Sequence, residues 1–283
     1  MTLNMSSGSA ENQQGFILRG NVTATGNSTI SPTATAIGVA DGIGLAAGNR
    51  TFNVVGAGDV LTVSARLTDE VGAPGGALVK TGAGALVLAG VNTHTGGTQV
   101  QAGTLRVDGS ILGPVTVAAG ATLGGSGTFA GPLTLQSGGR LAPGNSPGVL
   151  TVGGLVGTVG SVFEAELNGP TPGTGYDQLV VNGIVNLGGM TLLADLGFAA
   201  TPVDALVLIA NDGSDAVIGT FDALPEGALV DLGSQSALIT YVGGDGNDVV
   251  LFGFTPIPEP TAALLLGPAA LAALAALGLR RRR

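Results

Sequence analysis

Leu67, Leu86, Leu105, Leu123 and Leu141 recur at intervals of 19, 19, 18 and 18 residues, each beside a short Val/Leu/Thr run broken by a Gly-rich turn. Three copies align residue for residue, Thr98 to Leu105, Thr116 to Leu123 and Thr134 to Leu141, and each reads strand, glycine turn, strand. An interval this short is less than half a four-strand propeller blade and suits one coil of a parallel β-solenoid, in which each apolar interior stacks on the next. Helical periodicity is absent before residue 261. The expectation is an all-β chain, a parallel β-helix, with repeats over residues 1–141.

Composition supports that architecture. Glycine supplies 51 of 283 residues, charged residues only 10%, and cysteine none. With neither disulfides nor thiolate metal sites, stability has to come from backbone pairing and stacked small aliphatic side chains.

The C-terminus is of another kind. Pro258, Glu259 and Pro260 precede the uncharged stretch Thr261 to Leu279, and Arg280, Arg281, Arg282 and Arg283 close the chain. A helix over residues 261–279 is roughly 28 Å long, close to the roughly 30 Å hydrocarbon core of a bilayer. The arginines stay cytoplasmic, which places the preceding chain outside the inner membrane. Seven leucines among alanines, with Gly267 and Pro268 inside, make a marginal span suited to a temporary anchor. The prolines keep Glu259 extended and open to a protease.

Motif, apolar helix and basic end, in this order, resemble the PEP-CTERM sorting signal of Gram-negative bacteria, here over residues 255–283. The resemblance implies an inner-membrane precursor with a cytoplasmic C-terminus, recognition by an exosortase-type membrane protease, and a mature form at the cell surface or in the extracellular matrix. An ordinary single-pass anchor is the plainer reading. Met1 to Gly15 has neither the basic n-region nor the apolar h-region of an export signal, so the expected start lies upstream, or the chain is the tail of a longer surface protein.

Residues 76–107 carry a second likeness. Lys80, the Gly-rich run to Gly90, then Asn92-Thr93-His94-Thr95-Gly96-Gly97-Thr98 and Ala102-Gly103-Thr104-Leu105 resemble the autotransporter-associated β-strand repeat. This implies a β-helical passenger-type stalk and brings no catalytic residue. His94 stands where that family usually has tyrosine, which takes a large ring out of its coil. With 4% aromatics and a helical C-terminal stretch, the chain lacks the signature of a translocating barrel.

Ala142 to Gly148 is a Pro/Gly cluster and the expected junction to a β-rich capping module over residues 142–254, similar to the end-caps of large bacterial surface proteins. Thirteen Asp/Glu and no Lys/Arg fall between Leu141 and Leu279. Nucleic acid is a disfavoured partner, whereas an acidic face keeps the protein soluble and draws divalent cations in a polysaccharide matrix.

Gly243 to Leu251 matches the Gly-Gly-x-Gly-x-Asp nonapeptide of calcium-loaded β-rolls, with Asp245 and Asp248 as the candidate ligands. It occurs once, and a Gly/Asn/Asp hairpin turn is the competing reading. No cofactor is implied. His94 is the single histidine, and no Gly-x-Ser-x-Gly elbow or phosphate-binding loop is present. Glu164 and Glu166 project from the same side of a strand and are the first candidates for a β-helical polysaccharide lyase, although a Glu pair without basic neighbours is ordinarily a solvated face. Asn-x-Ser/Thr triplets at Asn21, Asn27 and Asn49 carry no argument in the bacterial setting that the resemblance implies, and match by chance in a chain rich in Asn, Ser and Thr. The sequence reads as a non-catalytic surface or matrix protein, with a carbohydrate-binding adhesin as the alternative and extracellular polysaccharide as a further partner.

Overall fold

The computed structural model describes residues 2–7, 16–31 and 42–257, and the chain there is all-β, largely in parallel sheets. Seven strands form its first part: β1 (Thr2–Ser7), β2 (Phe16–Ala24), β3 (Ser28–Ile30), β4 (Gly42–Leu45), β5 (Gly48–Val54), β6 (Val60–Val63) and β7 (Arg66–Asp69). Six three-strand coils follow. They are β8 (Gly76–Thr81), β9 (Ala85–Leu88) and β10 (Val91–Asn92); β11 (Thr98–Val100), β12 (Gly103–Val107) and β13 (Ser110–Ile111); and β14 (Val115–Val117), β15 (Ala121–Gly125) and β16 (Thr128–Phe129). The next are β17 (Leu133–Leu135), β18 (Arg140–Pro143) and β19 (Val149–Val152); β20 (Leu155–Val156), β21 (Val162–Leu167) and β22 (Gln178–Val181); and β23 (Val185–Asn186), β24 (Thr191–Leu196) and β25 (Ala205–Asn211). An antiparallel end consists of β26 (Leu229–Asp231), β27 (Gln235–Gly243) and β28 (Asp248–Pro256).

First, second and third strands of successive coils stack into three separate sheets, so the chain winds around a three-sided core. Alternation along each strand puts one side chain in and the next out. In β21, Phe163, Ala165 and Leu167 are buried while Val162, Glu164 and Glu166 are half-exposed. The second sheet aligns Leu61, Leu86, Leu105, Leu123, Leu141, Phe163 and Leu192 as one ladder. Six of these lie in the core, and Leu192 packs against it from the last strand.

Leu67, although it fits the sequence interval, is not in this ladder. It sits in β7 opposite Ile43, and its carbonyl accepts the N–H of Thr93 at 2.7 Å, on the side leading to β10. Leu61 takes its place, because the turn between β7 and β8 lengthens that coil.

The parallel coil also runs through the expected junction at Leu141. Leu141 pairs with Phe163 in unchanged register, Ala142 and Pro143 still belong to β18, and Gly144 to Gly148 forms an excursion at the corner between β18 and β19. The architecture changes instead at β25, which is parallel to β22 on one side and antiparallel to β28 on the other. Inward aliphatics on both sides of the excursion hold the register, so the turn residues displace only the loop.

At this end Ile218 hydrogen-bonds to Val185 and Leu187, closing the edge of β23. Phe221 covers the core against Phe163 and Tyr241, with ring centroids 5.9 and 6.3 Å away. The Tyr241 hydroxyl donates to Leu224 O at 2.7 Å and accepts from Phe221 N at 3.0 Å. Corners are sharp enough that some require glycine. At Gly82 φ is +77°, and a Cβ would lie 2.1 Å from the Val54 carbonyl oxygen of the previous coil. Among the described residues no helix is long and apolar enough to cross a membrane. The helix expected over 261–279 lies outside the described residues.

Candidate functional site

The outer face of the second sheet carries a trough of about 560 Å³. Strand register builds it. Arg106, Gly124 and Ala142 are neighbours on β12, β15 and β18, and Glu164 on β21 is next in the row. At about 4.8 Å between strands, Arg106 and Glu164 are roughly 14 Å apart with a floor of small residues between them. The excursion through Asn145 and Ser146 forms one wall, and Asp195 on β24, paired with Glu166, extends the acidic end.

Glu164 and Glu166 do share a face, as the strand period requires, yet Glu164 is not without a basic neighbour. Arg140 Nη1 donates to Glu164 Oε2 at 2.9 Å from the adjacent strand. The two residues are 24 positions apart, so no local pattern reveals the pair. Glu166 Oε2 accepts the Ser146 hydroxyl at 2.5 Å, and Arg106 is paired with Asp108 at 2.8 Å.

Asp177 is the acidic residue that sequence reasoning passed over, although its place just after the Gly/Pro-rich loop that follows β21 was a signal. It is buried, and its two oxygens accept the backbone N–H groups of Gly148 at 2.8 Å and Glu166 at 2.9 Å. Burial pushes its carboxyl up to about 6; the two N–H donors oppose this, and the charges of Glu166 and Glu164 add to it. With both oxygens occupied, Asp177 fastens the trough wall to β21 and is not a free base. The trough as a whole presents carboxylates and a hydroxyl over an apolar floor, an arrangement that accepts hydrogen bonds from a hydroxyl-rich ligand.

His94 lies in the interior, away from the trough. Its Nε2 is 2.9 Å from Thr98 Oγ1, and burial lowers its pKa while the Asp69 carboxylate and the Leu67 carbonyl act in the opposite sense. Lys80, also buried, occupies the inward column between Phe52 and Val100. Its ammonium donates to Thr81 O and Gly82 O at 2.8 Å and to Ala102 O at 3.0 Å. Asn21 Oδ1 and Asn27 Oδ1 accept the N–H groups of Thr51 and Val60, so these two asparagines link neighbouring coils.

Asp245 and Asp248 fall at the turn joining β27 to β28, which makes Gly243 to Asp248 an antiparallel hairpin. Among the described residues no three His, Cys, Asp or Glu side chains are placed to hold one metal ion. Pro258, Glu259, Pro260 and Arg280 to Arg283 lie outside the described residues.

Residues 78–107, from β8 through β12, match the family model described as Passenger-associated-transport-repeat. The chain is also similar to a protein named Extracellular serine protease from Serratia marcescens, 46% identical over 77 residues. That alignment covers 27% of this chain and 7% of the relative. The chain therefore contains a passenger-type repeat, and the shared segment is a small part of the relative's length.

Proposed function

We propose that this is an exported, non-catalytic structural protein of the cell surface or extracellular matrix. The observation that carries the reading is the in-register apolar ladder from Leu61 to Leu192, which makes the described chain a stack of coils stabilised by repetition. The passenger-type repeat and the extracellular name of the Serratia marcescens relative support an outside location. Delivery is assigned to residues 255–283 as a PEP-CTERM signal processed by an exosortase, with residues 261–279 as the precursor's membrane span.

Intact mass of the mature protein from cells with and without a functional exosortase tests this. A chain ending near Pro258 only in competent cells supports sorting; a chain retaining Arg283 in both makes 261–279 a permanent anchor.

The second reading, a carbohydrate-binding adhesin, is favoured by the trough and its hydroxyl-accepting carboxylates. Glycan binding that is lost in Glu166→Ala but retained in Gln101→Ala supports it. Lyase chemistry has less in its favour, because Glu164 is ion-paired with Arg140 and each Asp177 oxygen already accepts a backbone N–H.

A further inference from the structure

Two buried carbonyl oxygens beside the Gly243 to Asp248 turn, Asn211 Oδ1 and Asn247 Oδ1, have no hydrogen-bond partner. Asn211 is 6% exposed and Asn247 is 3% exposed. Their orientations are fixed by the other half of each amide. Asn211 Nδ2 donates to Asp215 O at 2.7 Å, and Asn247 Nδ2 donates to Asp212 O at 3.0 Å and Asp215 O at 3.1 Å. Turning either amide over would set oxygen against carbonyl oxygen.

Asp248 belongs to the same cluster, because its Oδ1 accepts the backbone N–H of Asn211 at 2.9 Å. Both amides donate to the Asp215 carbonyl and Asp248 fastens to the same segment, so two orphaned amide oxygens and a carboxylate belong to the place where the segment after β25 docks on the hairpin turn. An orphaned buried acceptor costs about 1–3 kcal/mol, so this cluster calls for an occupant that satisfies oxygens. Asp212, Asp215 and Asp245 on the same two segments make the surroundings negative, which selects a cation over a neutral donor.

We propose that the Asn211, Asn247 and Asp248 oxygens form a calcium site that locks the hairpin turn to the end of the sixth coil. Oxygen-only ligands of mixed amide and carboxylate type suit a hard cation, and flexible loops suit Ca²⁺ better than the strict octahedron of Mg²⁺. With a single carboxylate in the cluster, affinity falls in the weak extracellular range, roughly 10⁻⁴–10⁻³ M. The site is not the stacked β-roll arrangement, since its second segment is the unrelated stretch 211–215 and not another nonapeptide.

The test uses the full chain, freed of divalent ions with a chelator and titrated with CaCl₂ while melting temperature and calorimetric heat are followed. A saturable rise in melting temperature with matching heat is expected, at least about tenfold weaker in affinity for Asp248→Asn and Asn247→Ala. Asp248→Asn keeps the acceptor for Asn211 N, so its unliganded fold serves as the control. The proposal is overturned if Ca²⁺ produces neither heat nor shift, the result a buried water in the cluster would give. It is also overturned if Mg²⁺ or NaCl of equal ionic strength gives the same shift, or if both variants respond like the parent. None of these readouts depends on C-terminal processing, so the site and the sorting reading stand or fall separately.

Discussion

Lys80 in the first full coil donates to the carbonyl oxygen of Ala102 in the second at 3.0 Å, through a corner that its aliphatic stem reaches from inside the core. The same ammonium takes the Thr81 and Gly82 carbonyls, so all three of its N–H donors are used and no carboxylate is involved. Lys80→Met keeps the stem and leaves three carbonyl oxygens unsatisfied. A loss of about 1–3 kcal/mol in denaturant unfolding at neutral pH is expected. No change in unfolding midpoint would show that the corner carbonyls find other donors.

The same residue sets an alkaline dependence. Burial lowers the Lys80 pKa from the usual 10.5 to about 8. Between those values the unfolded chain holds a proton that the folded chain has released, so the Lys80 contribution to stability rises with pH through that window. The difference between parent and Lys80→Met should grow from about pH 8 to about pH 10.5. A constant difference across that range would contradict the assignment.

Much of this was legible in the sequence. The 18-residue and 19-residue intervals mark Leu86 to Leu141 as one ladder because the three-strand coils between them are nearly equal in length, with short turns at every corner. Leu67 fits the same interval by coincidence of loop length, and the Pro/Gly cluster that ends in the excursion from Gly144 to Gly148 looks like a boundary because turn chemistry is local while register is not. The trough was half visible. Period-2 alternation pairs Glu164 with Glu166, but Arg140 and Asp195 reach them from neighbouring coils, at separations that only the lengths of intervening loops decide.

His94 makes the repeat coil acid-sensitive. Its pKa in the folded protein is lowered, first by burial, against the opposing pull of Asp69. As pH falls below about 6.5 the unfolded chain protonates first, and stability is lost until the folded pKa is passed. His94→Phe removes this contribution. The parent should lose stability relative to the variant on acidification from about pH 7 to about pH 5. Parallel melting curves for the two proteins would remove His94 from the acid response.

Asp177 contributes with the opposite sign over an adjoining window. Its carboxyl, raised to about 6, binds a proton in the folded chain that the unfolded chain has already released, so its contribution falls as pH rises from about 4 to about 6. Asp177→Asn should cancel that slope. Asp177→Ala orphans the N–H groups of Gly148 and Glu166 and should cost about 2 kcal/mol, with faster limited proteolysis near Ser146. An unchanged cleavage rate in the alanine variant would mean that the wall is held by other contacts.

Phe221 seals the last coil, and its loss should be felt there first. Phe221→Ala removes the ring between Phe163 and Tyr241 and opens the end of the ladder, at about 3–5 kcal/mol for a large-to-small core change. In a stack where each coil touches only its neighbours, the damage spreads along the axis. Hydrogen exchange should therefore accelerate in β23, β24 and β25 well before β11 and β12, which are separated from Phe221 by several intact coils. Uniform acceleration over the whole chain would show that the coils unfold as one cooperative unit and that the end strands do not act as a separable seal.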